Sequence, residues 1–311
     1  MTKRPKVTVL GSLNMDISVT VPRLPGPGAT VLGSAARFTP GGKGANQAVA
    51  AARLGADVRM VGCVGEDDFG RQLVAALHAE GINADAVRTV TSVPTGLAMI
   101  AVDQAGENLI IVAAGANHQV GSADVARTVT NDAGILVISA EIPAPAITQT
   151  LAQTHGRKIL NLAPAPANAP ELVAAAGDRL DWLVVNESEA AAVLGRPVSG
   201  LASAKRAATE LTAKGPRHAV VTAGAHGAAL AGPDGAHTVE GFTVAAVDTV
   251  GAGDTFVGAL AVALAAGVPP RDALRAAAAA GATAVTRPGA QTAMPRPADI
   301  LTATGVTWPA D

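Results

Sequence analysis

Four short apolar segments decide the fold: ILVIS at 135–139, KILN at 158–161, WLVV at 182–185 and HAVVT at 218–222. Alanine-rich stretches with helical spacing lie between them. Strands that alternate with helices in this way build a parallel sheet covered by helices on both faces. The sequence therefore predicts an α/β protein with three layers and a mostly parallel central sheet.

The same alternation is present towards both ends of the chain. We predict strands at 7–11 and 58–64, and helices at 43–54, 69–80, 144–154, 170–176, 188–194, 202–214, 254–266 and 271–285. Two stretches break the pattern, because 16–38 contains three prolines and 96–113 is divided by the turn 103–106. We expect them to form a small β lid over about 15–40 and 95–114, within a single domain that covers 1–311.

Composition excludes several classes of protein. The chain has 311 residues, of which 49% are hydrophobic and 15% charged, so it can bury a large core. A net charge of −2 and 2% aromatic residues disfavour binding to nucleic acid. The single cysteine, Cys63, cannot form an intramolecular disulfide, and the longest apolar stretch is too short to cross a membrane. We expect a cytoplasmic protein that binds neither nucleic acid nor a membrane.

The strongest local signal is Asp248-Thr-Val-Gly-Ala-Gly-Asp-Thr-Phe256. Small residues at the start of a helix leave the backbone N–H groups of Gly251, Ala252 and Gly253 open to an anion such as phosphate. Asp254 beside them is placed to accept a proton from an attacking hydroxyl. The alternative is that Asp254 is an ordinary helix N-cap.

A second glycine-rich segment is Pro40-Gly-Gly-Lys-Gly-Ala-Asn-Gln47. It is not a Walker A loop, because Lys43 is followed by Gly44 rather than by Ser or Thr. Its exposed amides and Asn46 suit the hydroxyls of a sugar, and the alternative is a glycine-rich hinge.

Polar residues follow several predicted strands, where ligands bind in parallel sheets. Asn14 and Asp16 follow the first strand and Glu141 follows another; the two oxygens of Asp16 suit two hydroxyls of a polyol. Segments 186–189 and 222–227 follow two further strands. The alternatives are an Asx turn at Asp16, a helix cap at 186–189 and a β-turn at 222–227.

Taken in order, five segments of the chain resemble the ribokinase family of carbohydrate kinases. They are 14–16, 41–46, 62–70, 186–189 and 248–256. The resemblance covers essentially the whole chain. It implies ATP-dependent phosphorylation of D-ribose at its primary 5-hydroxyl to D-ribose 5-phosphate. Alternatives are 2-deoxyribose, another sugar or a nucleoside as substrate, and more remotely a non-catalytic sugar-binding protein. A Rossmann dehydrogenase is disfavoured because no G-x-G-x-x-G follows the first strand.

The resemblance also implies roles for individual residues. Asp254 matches the family's catalytic base. The residues that match its anion hole are Gly251, Ala252 and Gly253. The sugar-binding set matches Asn14, Met15, Asp16, Gly42, Lys43, Gly44, Ala45, Asn46, Glu141 and Asp254. The nucleotide-binding set matches Asn186, Thr222, Ala223, Gly224, Ala225, His226, Gly227, Gly253 and Asp254.

Two cations and a partner are implied in the same way. Glu189 matches the acid that organises Mg²⁺ through water. A monovalent-cation site, expected to take K⁺, matches Asp248, Val250, Ala284, Arg287 and Gly289. The lid implies a homodimer. The chain departs from the family pattern at Ala293, where a Ser can serve the cation, and at Ala278, where a polar residue often lines the adenine.

Overall fold

A nine-stranded sheet and a four-stranded sheet form the framework of the computed structural model, which describes residues 4–128 and 134–309. In chain order the strands are β1 (Lys6–Leu10), β2 (Asn14–Thr20), β3 (Arg37–Gly41), β4 (Asp57–Gly65), β5 (Asn83–Val90), β6 (Gly96–Val102), β7 (Asn108–Ala113), β8 (Ile135–Ser139), β9 (Arg157–Asn161), β10 (Trp182–Asn186), β11 (His218–Thr222), β12 (Gly227–Gly232) and β13 (Gly235–Glu240). The helices are α1 (Lys43–Arg53), α2 (Asp68–Ala79), α3 (Ser122–Thr128), α4 (Ala144–Gln153), α5 (Ala169–Ala176), α6 (Glu187–Leu194), α7 (Gly200–Thr212), α8 (Ala252–Ala265), α9 (Pro270–Ala284) and α10 (Pro297–Thr304).

The main sheet has the order β13-β12-β11-β10-β9-β8-β1-β4-β5. Strands β11 to β5 are parallel, and β12 and β13 add an antiparallel edge. The chain leaves β1 towards β4 and β5 and then returns to β8 on the other side of β1. Such a switch in direction opens a crevice at the carboxyl ends of the two central strands, where ligands bind in open α/β sheets.

Side chains of the central strands are buried on both faces. Val9 and Val137 face one hydrophobic core, which includes residues of α1, α8 and α9. Leu10 and Ile138 face the other, which includes residues of α4, α5 and α7. Continuous apolar strands of this kind belong to a sheet covered on both sides. The predicted three-layer fold with a mostly parallel sheet is confirmed.

The second sheet has the order β3-β2-β6-β7 and lies outside the main one. Its strands fall in the two stretches that broke the helical pattern, so the predicted small β-sheet is confirmed. Within 16–38 only the two ends form strands, because the prolines between them cannot donate to a ladder. The edge strand β7 exposes Leu109, Ile110, Ile111 and Val112, each by 41–54%.

Several elements were not predicted from the sequence. Strand β5 alternates polar and apolar residues at a sheet edge, α3 is short, and β12 (GAALAG) has no β-branched residue. The two strands were missed because their local propensity is weak and pairing with neighbouring strands determines whether such segments form strands. The helix was missed because it is short. None of the helices in the described part of the chain combines the length and apolarity needed to cross a bilayer.

Candidate active site

A cleft of about 220 Å³ opens at the carboxyl end of the main sheet. Its walls come from the ends of β9, β10 and β11 and from the first turns of α1, α6 and α8. They include the side chains of Lys43, Asn161, Asn186, Glu189, Thr222 and Asp254. The cleft therefore brings together residues from four of the segments singled out in the sequence.

Asp254 is held from both sides by amide side chains. Its Oδ2 accepts a hydrogen bond from Asn46 Nδ2 at 2.9 Å, and its Oδ1 accepts one from Gln47 Nε2 at 3.0 Å. Helix α8 begins at Ala252 with Gly251 as N-cap, so Asp254 is the third helical residue. The alternative that Asp254 is the N-cap is wrong, because its carboxylate points to α1 instead of back to its own backbone.

The backbone amides ahead of Asp254 differ from one another. Ala252 N–H donates to Thr249 O at 3.3 Å, so it is not fully open as the sequence predicted. No acceptor is recorded for the N–H groups of Gly251 and Gly253 within the described residues. The N-terminus of α8 thus presents two open donors. The N–H group of Ala252 could act as a third only if its long hydrogen bond to Thr249 O were broken.

Glu141 gathers the loops that follow β1 and precede α1. Its Oε2 accepts hydrogen bonds from Ser12 Oγ at 2.5 Å, from the backbone N–H of Lys43 at 3.2 Å and from Asn14 Nδ2 at 3.3 Å. Asn117 donates from Nδ2 to Asn14 Oδ1 at 2.7 Å. These contacts place Asn14 and Glu141 side by side at the switch point, as is expected of residues that follow β1 and β8 in the chain.

The loop before α1 lies against the backbone that follows β1. Gly42 has φ 90°, and a Cβ there would lie 2.6 Å from Asn14 N. Only glycine fits a position with both a positive φ and so close an approach. The glycine-rich segment therefore lets α1 start against the first residue of β2, Asn14.

Asp16 stands among like charges. Burial, and then the charges of Glu141 and Asp254, raise the pKa of the Asp16 carboxyl to about 7. None of the hydrogen bonds among the described residues reaches that carboxylate, which lies against the backbone of Gly41 and is partly exposed. The pKa of Lys43 is raised chiefly by Asp254, with Glu141 and Glu189 adding to the effect against burial, which lowers it. Lys43 is the cation that balances this acidic group.

The segment after β10 forms a capping box. Asn186 Oδ1 accepts from Glu189 N at 2.9 Å, and Glu189 Oε2 accepts from Asn186 N at 2.8 Å. The predicted alternative, a cap that opens a helix, is therefore correct as a description of the local structure. Burial raises the pKa of Glu189 above its usual range. Both residues still line the cleft, so the cap does not remove them from a ligand.

The nucleotide and cation segments are placed less directly. Of the predicted loop 222–227, the described residues put only Thr222 on the wall of the cleft. Asp248 accepts hydrogen bonds from Val250 N at 3.0 Å and Gly289 N at 2.8 Å, so it joins the two segments that carry the predicted monovalent-cation ligands.

Five polar residues of the site were not singled out from the sequence: Ser12, Gln47, Asn117, Asn161 and Gln291. Asn161 ends β9, so the strand-end argument that found Glu141 would also have found it. The other four act through partners far along the chain, which no local pattern reveals.

A cleft at the carboxyl end of a parallel sheet, with open backbone N–H groups at the start of α8, suits an enzyme that transfers a phosphoryl group. The family described as pfkB family carbohydrate kinase matches residues 4–297. The chain belongs to this family.

Relatives of known identity agree with that assignment. A ribokinase from Haemophilus influenzae is 36% identical over 303 residues, which cover 96% of this chain and 98% of the relative. A deoxyribokinase from Salmonella typhi is 34% identical over 259 residues, 82% of this chain and 84% of that protein.

Solved structures show the same likeness. A ribokinase from Thermotoga maritima superposes with a TM-score of 0.86 at 34% identity, covering 96% of this chain and 98% of that one. An Arabidopsis thaliana ribokinase complexed with ribose and ATP superposes with a TM-score of 0.84 at 32% identity, covering 96% and 98%.

Proposed function

We propose that the protein phosphorylates D-ribose at its primary 5-hydroxyl with ATP, giving D-ribose 5-phosphate and ADP. The observation that carries this proposal is the position of Asp254. Its carboxylate lines the cleft together with Glu189, Thr222 and Lys43, and the backbone N–H of Lys43 donates to Glu141, which also contacts Asn14. A group at that junction can touch a sugar hydroxyl and the terminal phosphate together.

In the proposed reaction, the ribose hydroxyl oxygen attacks the γ-phosphorus in line. The new O–P bond forms as the bond between the phosphorus and the oxygen that bridges to ADP breaks, and the hydroxyl proton passes to Asp254. The open N–H groups at the start of α8, together with the helix dipole, stabilise the charge on the transferring group.

The sugar is proposed to lie against Asp16, Asn14 and Glu141. The open carboxylate of Asp16 would accept from two hydroxyls, and Asn46 would present the second hydrogen of its Nδ2 to a third. Asn186, Thr222 and residues 223–227 are proposed to hold the nucleotide. The Thr222 hydroxyl and the small residues after it suit phosphate and ribose oxygens.

Two cations fit the residues present. The carboxylate of Glu189 faces the cleft and supplies the hard oxygen ligands that Mg²⁺ prefers, so it would hold Mg²⁺ through water. Mg²⁺ would neutralise charge on the ATP phosphates. Asp248 and the carbonyls of the adjoining segments offer oxygen ligands to K⁺, whose role would be to fix the conformation that leads into α8.

We propose that residues 1–311 form one kinase domain in which the second sheet acts as a lid. Closure of such a lid would exclude the water that otherwise competes for the phosphoryl group. The exposed apolar residues of β7 on an unpaired sheet edge favour a homodimer that covers this sheet. A cytoplasmic location is proposed from the single buried thiol of Cys63.

Other substrates are second candidates. 2-Deoxyribose is favoured by the relative named deoxyribokinase. A nucleoside is disfavoured because none of the residues described along the cleft wall is a phenylalanine, and Phe256 is buried in the core.

The test is a coupled assay of ADP release with ribose, 2-deoxyribose, fructose and adenosine. We expect the highest kcat/KM with ribose. A higher kcat/KM with 2-deoxyribose would make 2-deoxyribose the substrate instead of ribose. If none of the four compounds causes ADP release, the kinase assignment at this site is refuted.

A further inference from the structure

We propose that Gln291 and Gln47 are positioning residues for Asp254, Gln291 through Asn46 and Gln47 directly. The inference rests on the proposed role of Asp254 as the base. Neither glutamine lines the cleft within the part of the chain described, so each acts through another side chain.

Gln291 sets the orientation of the Asn46 amide. Gln291 Nε2 donates to Asn46 Oδ1 at 3.1 Å, and Asn46 Nδ2 donates to Asp254 Oδ2 at 2.9 Å. An amide carries its acceptor and its donor at opposite ends, so a donor at one end turns the NH₂ group towards the other. With Gln291 in place, Asn46 meets the carboxylate as a donor; with its amide reversed, it would meet Asp254 as a second acceptor.

Gln47 holds the other oxygen of the carboxylate. Its Nε2 donates to Asp254 Oδ1 at 3.0 Å and to Asn161 Oδ1 at 2.9 Å. Both of its amide hydrogens are used. Gln47 is fully buried, and its Oε1 has no hydrogen-bond partner in the described structure. Leaving a buried acceptor unpaired is costly, and reversing the amide would bring Oε1 against two other acceptors. The two hydrogen bonds donated by Gln47 Nε2 therefore determine the orientation of this amide.

The packing of α1 on α8 brings these groups within reach. Gly258 lies one turn after Asp254, and a Cβ there would be 2.7 Å from both Ala50 Cβ and Gln47 O. Two helices this close let a short Asn and a Gln on α1 reach a carboxylate on α8 directly.

The segment that carries Gln291 is itself anchored to α1. Arg53 Nη1 donates to Gln291 O at 2.5 Å and to Met294 O at 3.0 Å. The Arg53 side chain also pairs with Glu80. Arg53 and Asn46 both lie on α1, so the contact of Arg53 with Gln291 O holds Gln291 close to Asn46.

The test compares Gln291→Met with Gln291→Glu in the full-length enzyme. Loss of the amide by Gln291→Met frees Asn46, and we expect kcat to fall about threefold to tenfold. The carboxylate introduced by Gln291→Glu accepts from Asn46 Nδ2 and reverses its amide. We expect a further loss of about tenfold, although Glu has the shape of Gln. KM for ATP should stay within about twofold in both variants.

The matched control is Thr292→Glu. It adds the same charge one residue along, at an exposed position whose hydroxyl contacts Pro288 O and not Asn46. We expect its kcat to stay within about twofold of the wild type. Gln47→Met, compared with the wild type at equal folded fraction, should lower kcat and leave KM for ATP unchanged.

Four outcomes would overturn the proposal. Gln291→Glu equal to or better than Gln291→Met would mean that Gln291 only fills space. An equal loss in Thr292→Glu would mean that charge alone is responsible. Wild-type rates in all glutamine variants, with Asp254→Asn inactive, would refute the positioning role but leave the proposed function standing. An active Asp254→Asn would instead refute the base on which both depend.

Discussion

Asn46 Nδ2 donates to Asp254 Oδ2 at 2.9 Å although the two residues lie 208 positions apart in the chain. The contact joins the first turn of α1, which faces the proposed sugar site, to the first turn of α8, which carries the proposed base. The orientation of the Asp254 carboxylate, the proposed base, therefore depends on how these two helices pack.

Asp254→Asn keeps the size of the side chain and removes its ability to accept a proton. We expect kcat to fall by about two to four orders of magnitude, with sugar binding largely retained. Steady-state kinetics and calorimetry measure the two effects. Asp272→Asn is the matched control, because Asp272 is also the third residue of its helix but is exposed on α9. Near-normal turnover in Asp254→Asn would rule out the base.

Asp16→Ala removes the carboxylate proposed to accept from two ribose hydroxyls. We expect ribose affinity to fall by about 1.5–3 kcal/mol, the scale of charge-assisted hydrogen bonds, and ATP affinity to stay the same. Titration calorimetry reports both. Asp103→Ala, which changes an acid in the β6–β7 turn, should leave ribose affinity unchanged. An unaltered affinity in Asp16→Ala would place the sugar elsewhere.

The raised pKa of Asp16 predicts a pH-dependent stability. The folded state binds this proton more tightly than the unfolded state, so the stability that the group contributes is complete below about pH 3.8 and is lost as pH rises through about 7. Asp16→Asn removes the burial of a charge. The wild type loses stability as Asp16 ionises, whereas the variant does not. The difference in free energy of unfolding between Asp16→Asn and the wild type should therefore increase in favour of the variant by about 1–2 kcal/mol from pH 5 to pH 8, a value reduced for the partial exposure of the group. Urea denaturation at the two pH values measures it, and a constant difference would contradict the assignment.

The proposed cation site predicts activation by K⁺. At constant ionic strength we expect activity in KCl to exceed that in NaCl or choline chloride severalfold, because the cation fixes the segment that leads into α8. Ala293 is fully buried four residues after Gly289 in the chain and offers no hydroxyl. Ala293→Ser should therefore lower the half-saturating K⁺ concentration. Equal rates in KCl and choline chloride, with Asp248→Ala fully active, would remove the site.

The exposed apolar edge of the second sheet predicts a change of oligomeric state. Ile111→Asp places a charge on β7, and we expect it to convert a dimer into a monomer in light scattering coupled to gel filtration. Leu301→Asp is the matched control, since Leu301 is about equally exposed but lies on α10. A monomeric wild type, or a dimer that survives Ile111→Asp, would contradict a dimer built on this strand.

The sequence was informative where function and local structure coincide. Asn14 and Glu141 were found because polar residues at strand ends face the ligand crevice, and the Gly42 segment because its backbone demands glycine. Gln47 and Gln291 were missed because their partners lie 207 and 245 positions away. Whether Asp254 caps its helix could not be decided locally either, since an acid in a first turn suits both roles. Strand β5 at the sheet edge and strand β12 beside the other edge were missed because pairing, not propensity, makes them strands.

The close packing of α1 on α8 has a consequence for synthesis of the protein. The buried face of α1, which includes Ala48, Val49, Ala50 and Ala51, packs against a helix that the ribosome makes about 200 residues later. Until α8 has emerged, this face can pack only on neighbouring strands such as β1 and β4, and Asn46 and Gln47 lack the carboxylate of Asp254 as a partner. The interface that holds Asp254 against α1 therefore forms only late in the synthesis of the chain.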